Sequence, residues 1–300
     1  AYKVSKQIRM VLTSIGKEVD HIVVVDDACP EQSGVVAQEV KDRRIEVIFH
    51  ERNQGVGGAM ITGYLRGIEL KSDVIVKMDG DGQMDASRIS ELIEPILQNQ
   101  SSYTKGNRFF EVEAVKQMPK LRIIGNLGLS FLTKLSTGYW RIFDPNNGFT
   151  AISTRALAKL PLHKLDRRYF FESDILFRLY LNDEVIRDIP MPAIYADEKS
   201  NLKIRLVLLE FPLKHLRNLV KRVFYSYYLK QFNLASIQLP LGIGLAISGL
   251  IRGFTALSTS NETGVPTAPG TVVLVAILLL AGLQFILSFL NFDMTNEPRK

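Results

Sequence analysis

Two long stretches without charge, in the last third of the chain, constrain its fold more than any other feature. Residues 234–251 and 271–292 contain no charged side chain, and a membrane-spanning helix needs about 20 predominantly apolar residues. The polar link 258–270 between them is too short to form a domain. The sequence therefore predicts a transmembrane hairpin over residues 232–300, with spans at about 234–255 and 271–292. A pair of buried core helices is the alternative, and the uninterrupted apolar length argues against it.

Basic side chains are concentrated just before the first of these spans, and the net charge of the chain is +6. Within residues 201–231 they alternate with leucines, phenylalanines and tyrosines, a pattern typical of amphipathic helices on an anionic membrane surface rather than of nucleic-acid binding. A solvated helix face is the alternative. Because Lys and Arg recur at Arg299 and Lys300 but not in the link, the positive-inside rule predicts that residues 1–200 face the cytoplasm, at an inner or cytoplasmic membrane. The aromatic stretch 224–232 is also suited to packing against a second copy of the chain.

Residues 1–200 alternate between predicted strands and predicted helices. Continuous apolar runs indicate the strands, and apolar residues at helical spacing indicate the helices. The predicted strands are 21–25, 45–49, 73–78, 103–108 and 149–153. The predicted helices are 6–15, 55–70, 87–97, 121–135 and 171–181. This order predicts one α/β domain with a mainly parallel sheet, in which ligands bind beyond the carboxyl ends of the strands.

Acidic residues follow two of these strands. Asp26 and Asp27 follow the first, and Asp79 and Asp81, each followed by a glycine, come after the third. Two carboxylates one residue apart in a tight turn can face a single divalent cation, and their oxygens suit Mg²⁺ or Mn²⁺ bound with a diphosphate. A plain Asp-Gly turn is the alternative, but the position after a buried strand favours the metal site. The single cysteine, Cys29, means that neither an internal disulfide nor a Cys/His zinc site is predicted.

Six short motifs occur in a defined order along the chain. They are Ala1-Tyr2, Val24-Val25-Asp26-Asp27, Asn53-Gln54-Gly55, Asp79-Gly80-Asp81-Gly82-Gln83, Gly106-Asn107-Arg108-Phe109 and Asp144-Pro145-Asn146-Asn147-Gly148-Phe149. In order and spacing, together with the two terminal spans, they resemble the family 2 glycosyltransferases with the GT-A fold (Rossmann-like). The resemblance is greatest to the polyprenyl-phosphate glycosyltransferases, the group that includes dolichyl-phosphate mannose synthase and its bacterial relatives. Lys3 stands where that family usually has Asn, and the family's first strand has no counterpart before Ala1, so an N-terminal strand is expected to be missing.

The resemblance implies a role for each motif. The residues expected to bind the nucleotide sugar are Tyr2, Asp26, Asp27, Asn53, Gly55, Asp79 and Gln83. Asp79 and Asp81 are expected to hold the metal ion and the diphosphate, with Asp81 as the more direct ligand. The residues expected to bind a lipid phosphate are Arg122 first, and then Arg108, Lys134, Arg141 and Arg205. Asp144 and Asp174 are expected to position groups in the site, and a turn cap and a helix N-terminal acid are their alternatives.

The resemblance also implies the reaction, an inverting transfer of a sugar from a nucleotide-sugar donor to polyprenyl phosphate. UDP-glucose is the first donor to expect, with GDP-mannose and UDP-linked amino sugars behind it. A divalent cation would neutralise the charge on the leaving nucleoside diphosphate. A phosphate monoester is largely ionised at pH 7, so the acceptor needs cations to hold it more than it needs a general base.

Two other functions are compatible with parts of this pattern. A polysaccharide synthase would use a hydroxyl acceptor and would need a base, but the Gln-x-x-Arg-Trp motif typical of that class does not occur in the sequence. A non-catalytic membrane scaffold that binds nucleotide sugars is the second alternative. The intact pair Asp79 and Asp81 argues against such a degenerate site.

Overall fold

The computed structural model describes residues 1–108, 120–144, 147–192 and 204–299. The chain forms two compact units, one holding Ala1–Val220 and the last residues from Pro298, the other holding Lys221–Glu297. The boundary between them falls inside a long helix. The division at residues 200 and 231 into an α/β domain, surface helices and a membrane hairpin therefore stays a prediction.

Helices and strands alternate along the first unit, as the sequence predicts. The strands are β1 (Ile22–Asp26), β2 (Ile45–Phe49), β3 (Val74–Lys77), β4 (Tyr103–Asn107), β5 (Thr150–Ser153) and β6 (Ile186–Pro190). The helices are α1 (Ile8–Ser14), α2 (Ser33–Gln38), α3 (Val56–Glu69), α4 (Ile89–Leu97), α5 (Lys120–Thr137), α6 (Thr154–Leu157), α7 (Phe171–Leu181) and α8 (Ile204–Phe224). The sequence did not predict α2, α6 and β6. Helix α2 is short and contains a glycine, α6 has only four residues, and β6 carries two charges and ends in proline.

The strands belong to two sheets. Strand β1 pairs in parallel with β2, and the larger sheet has the order β3-β5-β4-β6. Strand β5 runs antiparallel to both β3 and β4, whereas β4 and β6 are parallel. The α/β class is thus confirmed, and the larger sheet is mixed because β5 runs against its other three strands. The direction of β5 was not visible in the sequence because an apolar run has the same pattern whichever way the strand runs.

The main core lies between the larger sheet and helices α3 and α7. Ile152 of β5, Tyr64 of α3 and Leu176 of α7 are almost completely buried in it. Most residues of α7 are buried, so the packing of this helix fixes its first turn, where Glu172 and Asp174 lie.

A cavity of about 1530 Å³ separates β1 from β3. It is lined by residues of both strands, of α3 and of α4, and in the described residues β1 and β3 do not pair with each other. At the carboxyl end of β1, the Ala1 ammonium donates to the Val25 carbonyl, and the Asp27 N–H donates to the Ala1 carbonyl at 3.1 Å. The acids that follow β1 and β3 lie at this end of the cavity.

The second unit contains two long helices, α9 (Leu234–Thr263) and α10 (Pro269–Thr295). Both are long and apolar enough to cross a membrane, and few of their residues are buried, which is unlike the core helices of a soluble protein. The helices approach closely at glycines: a Cβ placed on Gly282 would lie 2.7 Å from the backbone nitrogen of Ala246. Close approach at small residues is typical of helix packing in membranes.

A buried ion pair joins the beginning of the second unit to the end of α10. The Arg222 guanidinium donates to both carboxylate oxygens of Asp293, at 2.6 and 2.9 Å, and the Tyr227 hydroxyl donates to the same carboxylate at 2.6 Å. Both charged side chains are fully buried. A bidentate pair with an additional donor is the arrangement in which a buried ion pair is best stabilised.

Candidate active site

The turn after β3 carries the two aspartates that the sequence predicts as metal ligands. The turn is tight because Gly82 adopts a φ of 79°, and the Gln83 N–H donates to Asp81 Oδ1 at 3.0 Å. Asp79 and Asp81 are both partly exposed and line the cavity between β1 and β3. Gln83 is not among the residues that line the cavity, so its contact with the donor sugar or diphosphate stays a prediction.

A buried lysine holds the first aspartate. Lys77, the last residue of β3, places its ammonium 3.1 Å from Asp79 Oδ1 and 3.4 Å from Glu172 Oε1. Burial alone would lower the pKa of Lys77, but the negative charges of Asp79 and Glu172 outweigh burial and hold this pKa above its ordinary value. Lys77 therefore stays charged and fixes the orientation of Asp79.

Sequence reasoning did not assign a role to Lys77 or to Glu172. The sequence did contain a sign that Lys77 is important: it stands inside an apolar run, Val-Ile-Val-Lys-Met, directly before the aspartates. A buried lysine is rare without a charged partner. The partner could not be inferred, because Glu172 is far away along the chain.

Gly148 of the Asp-Pro-Asn-Asn-Gly-Phe motif packs directly against this ion pair. A Cβ at this position would lie 2.4 Å from Lys77 Nζ and 2.6 Å from Asp79 Oδ2. Only a residue without a side chain fits there without displacing one of these groups. The glycine of this motif therefore belongs structurally to the aspartate site.

The donor set suits a hard divalent cation. In the described part of the chain no group of three or more His, Cys, Asp or Glu side chains gathers around one point. Asp79 and Asp81 together supply two carboxylates, and Mg²⁺ in particular binds through one or two carboxylates together with substrate phosphates and water rather than in an all-protein cage. The residues present therefore fit an ion that is completed by a diphosphate.

The carboxylate of Asp27 holds together the residues at the carboxyl end of β1. Its Oδ1 accepts from the Gln54 N–H at 2.7 Å and contacts His50 Nδ1 at 2.8 Å, and its Oδ2 accepts from the Gly55 N–H at 2.8 Å. The Asn53 side chain donates to the Asp27 carbonyl at 3.2 Å. Asp27, Asn53 and Gly55 therefore form one hydrogen-bonded group at the edge of the cavity. His50, which sequence reasoning missed, is the first residue after β2.

Asp26 and Tyr2 differ in their placement. Both carboxylate oxygens of Asp26 accept backbone N–H groups, from Cys29 at 2.7 Å and from Gly34 at 2.6 Å, and Asp26 does not line the cavity. Side chains alternate along a strand, so the two adjacent acids point in different directions. Asp26 shapes the loop before α2, whereas Tyr2 lines the cavity and is partly exposed.

Asp144 is buried and is held by cations. Arg108 donates to it through Nε at 2.8 Å and through Nη2 at 3.3 Å. The buried Lys105 ammonium donates to the Asp144 carbonyl, and it lies 3.4 Å from the Asn147 carbonyl. Burial lowers the pKa of Lys105 to about 8, against the opposing attraction of Asp144 and Asp188. Asp144 thus positions Arg108, one of the predicted lipid-phosphate ligands.

Asp174 is buried in a similar network. It accepts from the Asp166 N–H at 3.1 Å, from Arg178 Nε at 3.2 Å and from Asn218 Nδ2 at 3.2 Å. Asn218 belongs to α8, so the carboxylate ties α7 to α8. These contacts favour a positioning role over that of a base.

The other predicted phosphate ligands lie on α5, after it, or on α8. Lys134 is near the end of α5 and places its ammonium 5.3 Å from the centre of the Phe143 ring, and Arg141 is exposed. Arg122 and Arg205 belong to α5 and α8, but their side chains lie outside the described part of the structure.

Comparison with known proteins shows the family to which the chain belongs. Residues 1–160 match glycosyl transferase family 2. A protein from Methanococcus voltae, named UDP-N-acetylglucosamine–dolichyl-phosphate N-acetylglucosaminyltransferase, is 32% identical over 66% of this chain and 84% of its own length. Polyprenol monophosphomannose synthase from Mycolicibacterium smegmatis is 26% identical over 57% of this chain and 65% of its own. Undecaprenyl-phosphate mannosyltransferase from Micrococcus luteus is 26% identical over 57% and 70%.

Solved structures support the same fold. Glucosyl-3-phosphoglycerate synthase from Mycobacterium tuberculosis, in complex with Mn²⁺, UDP-glucose and phosphoglyceric acid, is similar with a TM-score of 0.53 at 19% identity, over 74% of this chain and 76% of that one. At this identity the likeness concerns the fold, which confirms the GT-A-like architecture expected from the motifs. The aspartate turn after β3 and the family match lead to one assignment: the chain belongs to glycosyl transferase family 2 and is a glycosyltransferase.

Proposed function

We propose that this glycosyltransferase moves a sugar from a nucleotide-sugar donor to a polyprenyl phosphate, either undecaprenyl or dolichyl phosphate, at the cytoplasmic face of a membrane. The observation that carries the proposal is the convergence of Asp79 and Asp81 with Asp27 and Asn53 on one cavity at the carboxyl ends of β3 and β1. The names of the three relatives support the acceptor, because two contain dolichyl-phosphate or undecaprenyl-phosphate and the third contains polyprenol monophosphomannose.

Asp79 and Asp81 would hold Mg²⁺ or Mn²⁺ together with the donor diphosphate. When bound, such an ion neutralises charge that develops on the leaving group. Lys77 and Gly148 keep Asp79 in one orientation, so the carboxylate need not reorganise during the reaction. A phosphate oxygen of the acceptor would attack the anomeric carbon in line as the bond to the diphosphate breaks, which inverts that centre.

No general base is required in this reaction. The acceptor phosphate is largely deprotonated at pH 7, and both Asp144 and Asp174 are engaged with cations or N–H groups. We assign these two carboxylates to positioning. The acceptor phosphate would be held by Arg122 first, with Arg108, Lys134, Arg141 and Arg205 as the further candidates.

Helix α8 supports a membrane-surface location for the acceptor. Leu213, Leu216 and Val220 form an exposed apolar row at helical spacing, and the exposed Arg217 and Lys221 flank it. An apolar stripe bordered by basic residues is the pattern of a helix that lies in a lipid interface. Together with α9 and α10 as spans, it favours a cytoplasmic site next to the bilayer.

The donor sugar is the finer part of the proposal. UDP-glucose was the expectation from the sequence, but the M. voltae relative is named for UDP-N-acetylglucosamine and the two mannosyl relatives are less similar to this chain. We therefore place UDP-N-acetylglucosamine first, with UDP-glucose and GDP-mannose as alternatives.

The test is a transfer assay with the purified full chain in nanodiscs that contain undecaprenyl or dolichyl phosphate. Each of the three donors is supplied with Mn²⁺, with Mg²⁺, or with a chelator, and the lipid-linked product is measured. We expect metal-dependent transfer from one donor, its loss in Asp81→Asn, and its retention in Asp85→Asn, which alters a carboxylate that caps the neighbouring turn. Transfer to an oligosaccharide hydroxyl instead of the lipid phosphate would contradict the proposal, and so would the absence of any metal-dependent transfer.

A further inference from the structure

The cavity between β1 and β3 is acidic where a donor would bind, although a donor diphosphate is itself an anion. Asp27, Asp79 and Asp81 all line this end. Lys77 offsets only one of the charges of Asp79 and Glu172, and a divalent cation offsets two more, so the four carboxylates together keep one negative charge. Binding therefore requires further positive charge from the protein.

Five basic side chains line the cavity within the described residues: Lys3, His21, Lys71, Lys77 and Arg168. His21 and Lys71 precede β1 and β3, so they lie at the amino ends of these strands, away from the acids. Lys77 is buried between Asp79 and Glu172. In this part of the structure, Lys3 and Arg168 are thus the exposed cations at the end of the cavity where the acids lie.

The backbone around Arg168 is docked against the start of α3. The Gly58 N–H donates to the Arg167 carbonyl at 3.0 Å. A Cβ on Gly57 would lie 2.2 Å from the Asp166 carbonyl oxygen, and one on Gly55 would lie 2.8 Å from Arg168 Cδ. The glycines of this segment therefore let the two backbones touch, and the contact holds the Arg168 side chain at the cavity.

The guanidinium of Arg168 is oriented toward the predicted nucleotide site. Its Nη1 donates to Asn53 Oδ1 at 3.2 Å, and Asn53 in turn donates to the Asp27 carbonyl at 3.2 Å. Within the described residues its other N–H groups have no partner, so they can donate to a ligand. A planar guanidinium with several donors matches a phosphate better than an ammonium does. The Lys3 ammonium lies 5.6 Å from the centre of the Tyr2 ring.

We propose that Arg168 binds the diphosphate of the nucleotide-sugar donor and supplies the positive charge that the metal ion alone does not. The inference rests on the proposed function, because it requires a nucleoside diphosphate in this cavity. It adds a ligand from the loop before α7, outside the motifs that carry the family resemblance. It also explains why that loop lies in close contact with the glycines at the start of α3, because this contact holds Arg168 at the cavity.

The test measures equilibrium binding of UDP, UMP and uridine, and of GDP, GMP and guanosine, to the full chain in detergent with Mn²⁺. The variants are Arg168→Gln, Arg168→Lys and, as the matched control, Arg167→Gln. Arg167 is also exposed and also donates to a side-chain amide, that of Gln54 at 3.1 Å, but it does not line the cavity. Equal melting temperatures establish that the variants are folded.

We expect Arg168→Gln to weaken binding of the nucleoside diphosphate about tenfold to hundredfold, the usual loss for a hydrogen bond to a charged group. The nucleoside should bind as it does to the wild type, Arg168→Lys should recover part of the loss, and Arg167→Gln should have no effect. Unchanged diphosphate binding in Arg168→Gln, or an equal loss for diphosphate and nucleoside, overturns this inference while leaving the proposed function intact. A wild-type protein that binds neither UDP nor GDP overturns both.

Discussion

Replacing Lys77 with methionine tests the charge arrangement around the first aspartate of the site. Methionine keeps an unbranched side chain that is one heavy atom shorter, and it removes the charge. In the variant, Asp79 and Glu172 would face each other without the cation that now lies 3.1 and 3.4 Å from them. The change therefore removes the ammonium while keeping most of the buried aliphatic chain.

The size of the effect follows from these distances. At an effective dielectric constant of about 20, each pair attracts by about 5 kcal/mol before the cost of desolvation. Removing one partner of a buried ion pair destabilises proteins by about 3–5 kcal/mol. Because Asp79 is 39% exposed and partly screened by water, we expect Lys77→Met to lower the free energy of unfolding by about 3 kcal/mol, near the low end of this range.

The assay is denaturant unfolding of the first unit in detergent, followed by tryptophan fluorescence. The chain has one tryptophan, Trp140, and it belongs to the first unit, so the signal does not mix the two units. Glu172→Gln should cost about 1 kcal/mol, because Lys77 keeps Asp79 as a partner. The double variant should be more stable than the sum of the two changes predicts, by about 1–2 kcal/mol, since it removes one of the two opposed carboxylates.

Two outcomes would refute this reasoning. If Lys77→Met unfolded at the same denaturant concentration as the wild type, the ammonium would not stabilise the end of β3. Strict additivity of the two substitutions would show that Lys77 and Glu172 are not energetically coupled, despite their contact. In either case the orientation of Asp79 must depend on other groups.

Three further predictions concern other parts of the chain. Gly148→Ala should reduce sugar transfer at least tenfold and raise the Mn²⁺ concentration needed for half-maximal transfer, because the added Cβ would collide with Asp79. A titration of the transfer rate with Mn²⁺ checks this. A variant with wild-type kinetics would contradict it. His215 is buried, and burial lowers its pKa to about 4 from an ordinary value of 6.5. The unfolded chain therefore binds more protons between these values, and the free energy of unfolding should fall by up to about 3 kcal/mol as the pH drops from 6.5 to 4, with His215→Phe flattening this dependence. Gly282→Leu should separate α9 from α10 and make the hairpin protease-sensitive, whereas Gly244→Leu, where a Cβ meets nothing within 4 Å, should not.

The sequence by itself determined the features that depend on local pattern. The two long apolar helices follow from uninterrupted apolar length, and the alternation of strands and helices follows from the period of burial. Asp79 and Asp81 could be placed at the end of a strand because an apolar run typical of a buried strand ends there in a glycine-containing turn. Each of these properties depends on about 20 neighbouring residues or fewer, so it can be predicted without the rest of the chain.

The tertiary structure decided which residues meet. Lys77 and Glu172 are 95 positions apart, and their contact depends on how α7 packs beneath the sheet. The antiparallel direction of β5 and the docking of Arg168 on the glycines of α3 likewise depend on the path of the chain. Asp26 and Asp27 looked equivalent in the sequence, yet adjacent side chains of a strand point to opposite faces, and only Asp27 reaches the cavity. Long-range contacts are set by global packing, which no local pattern encodes.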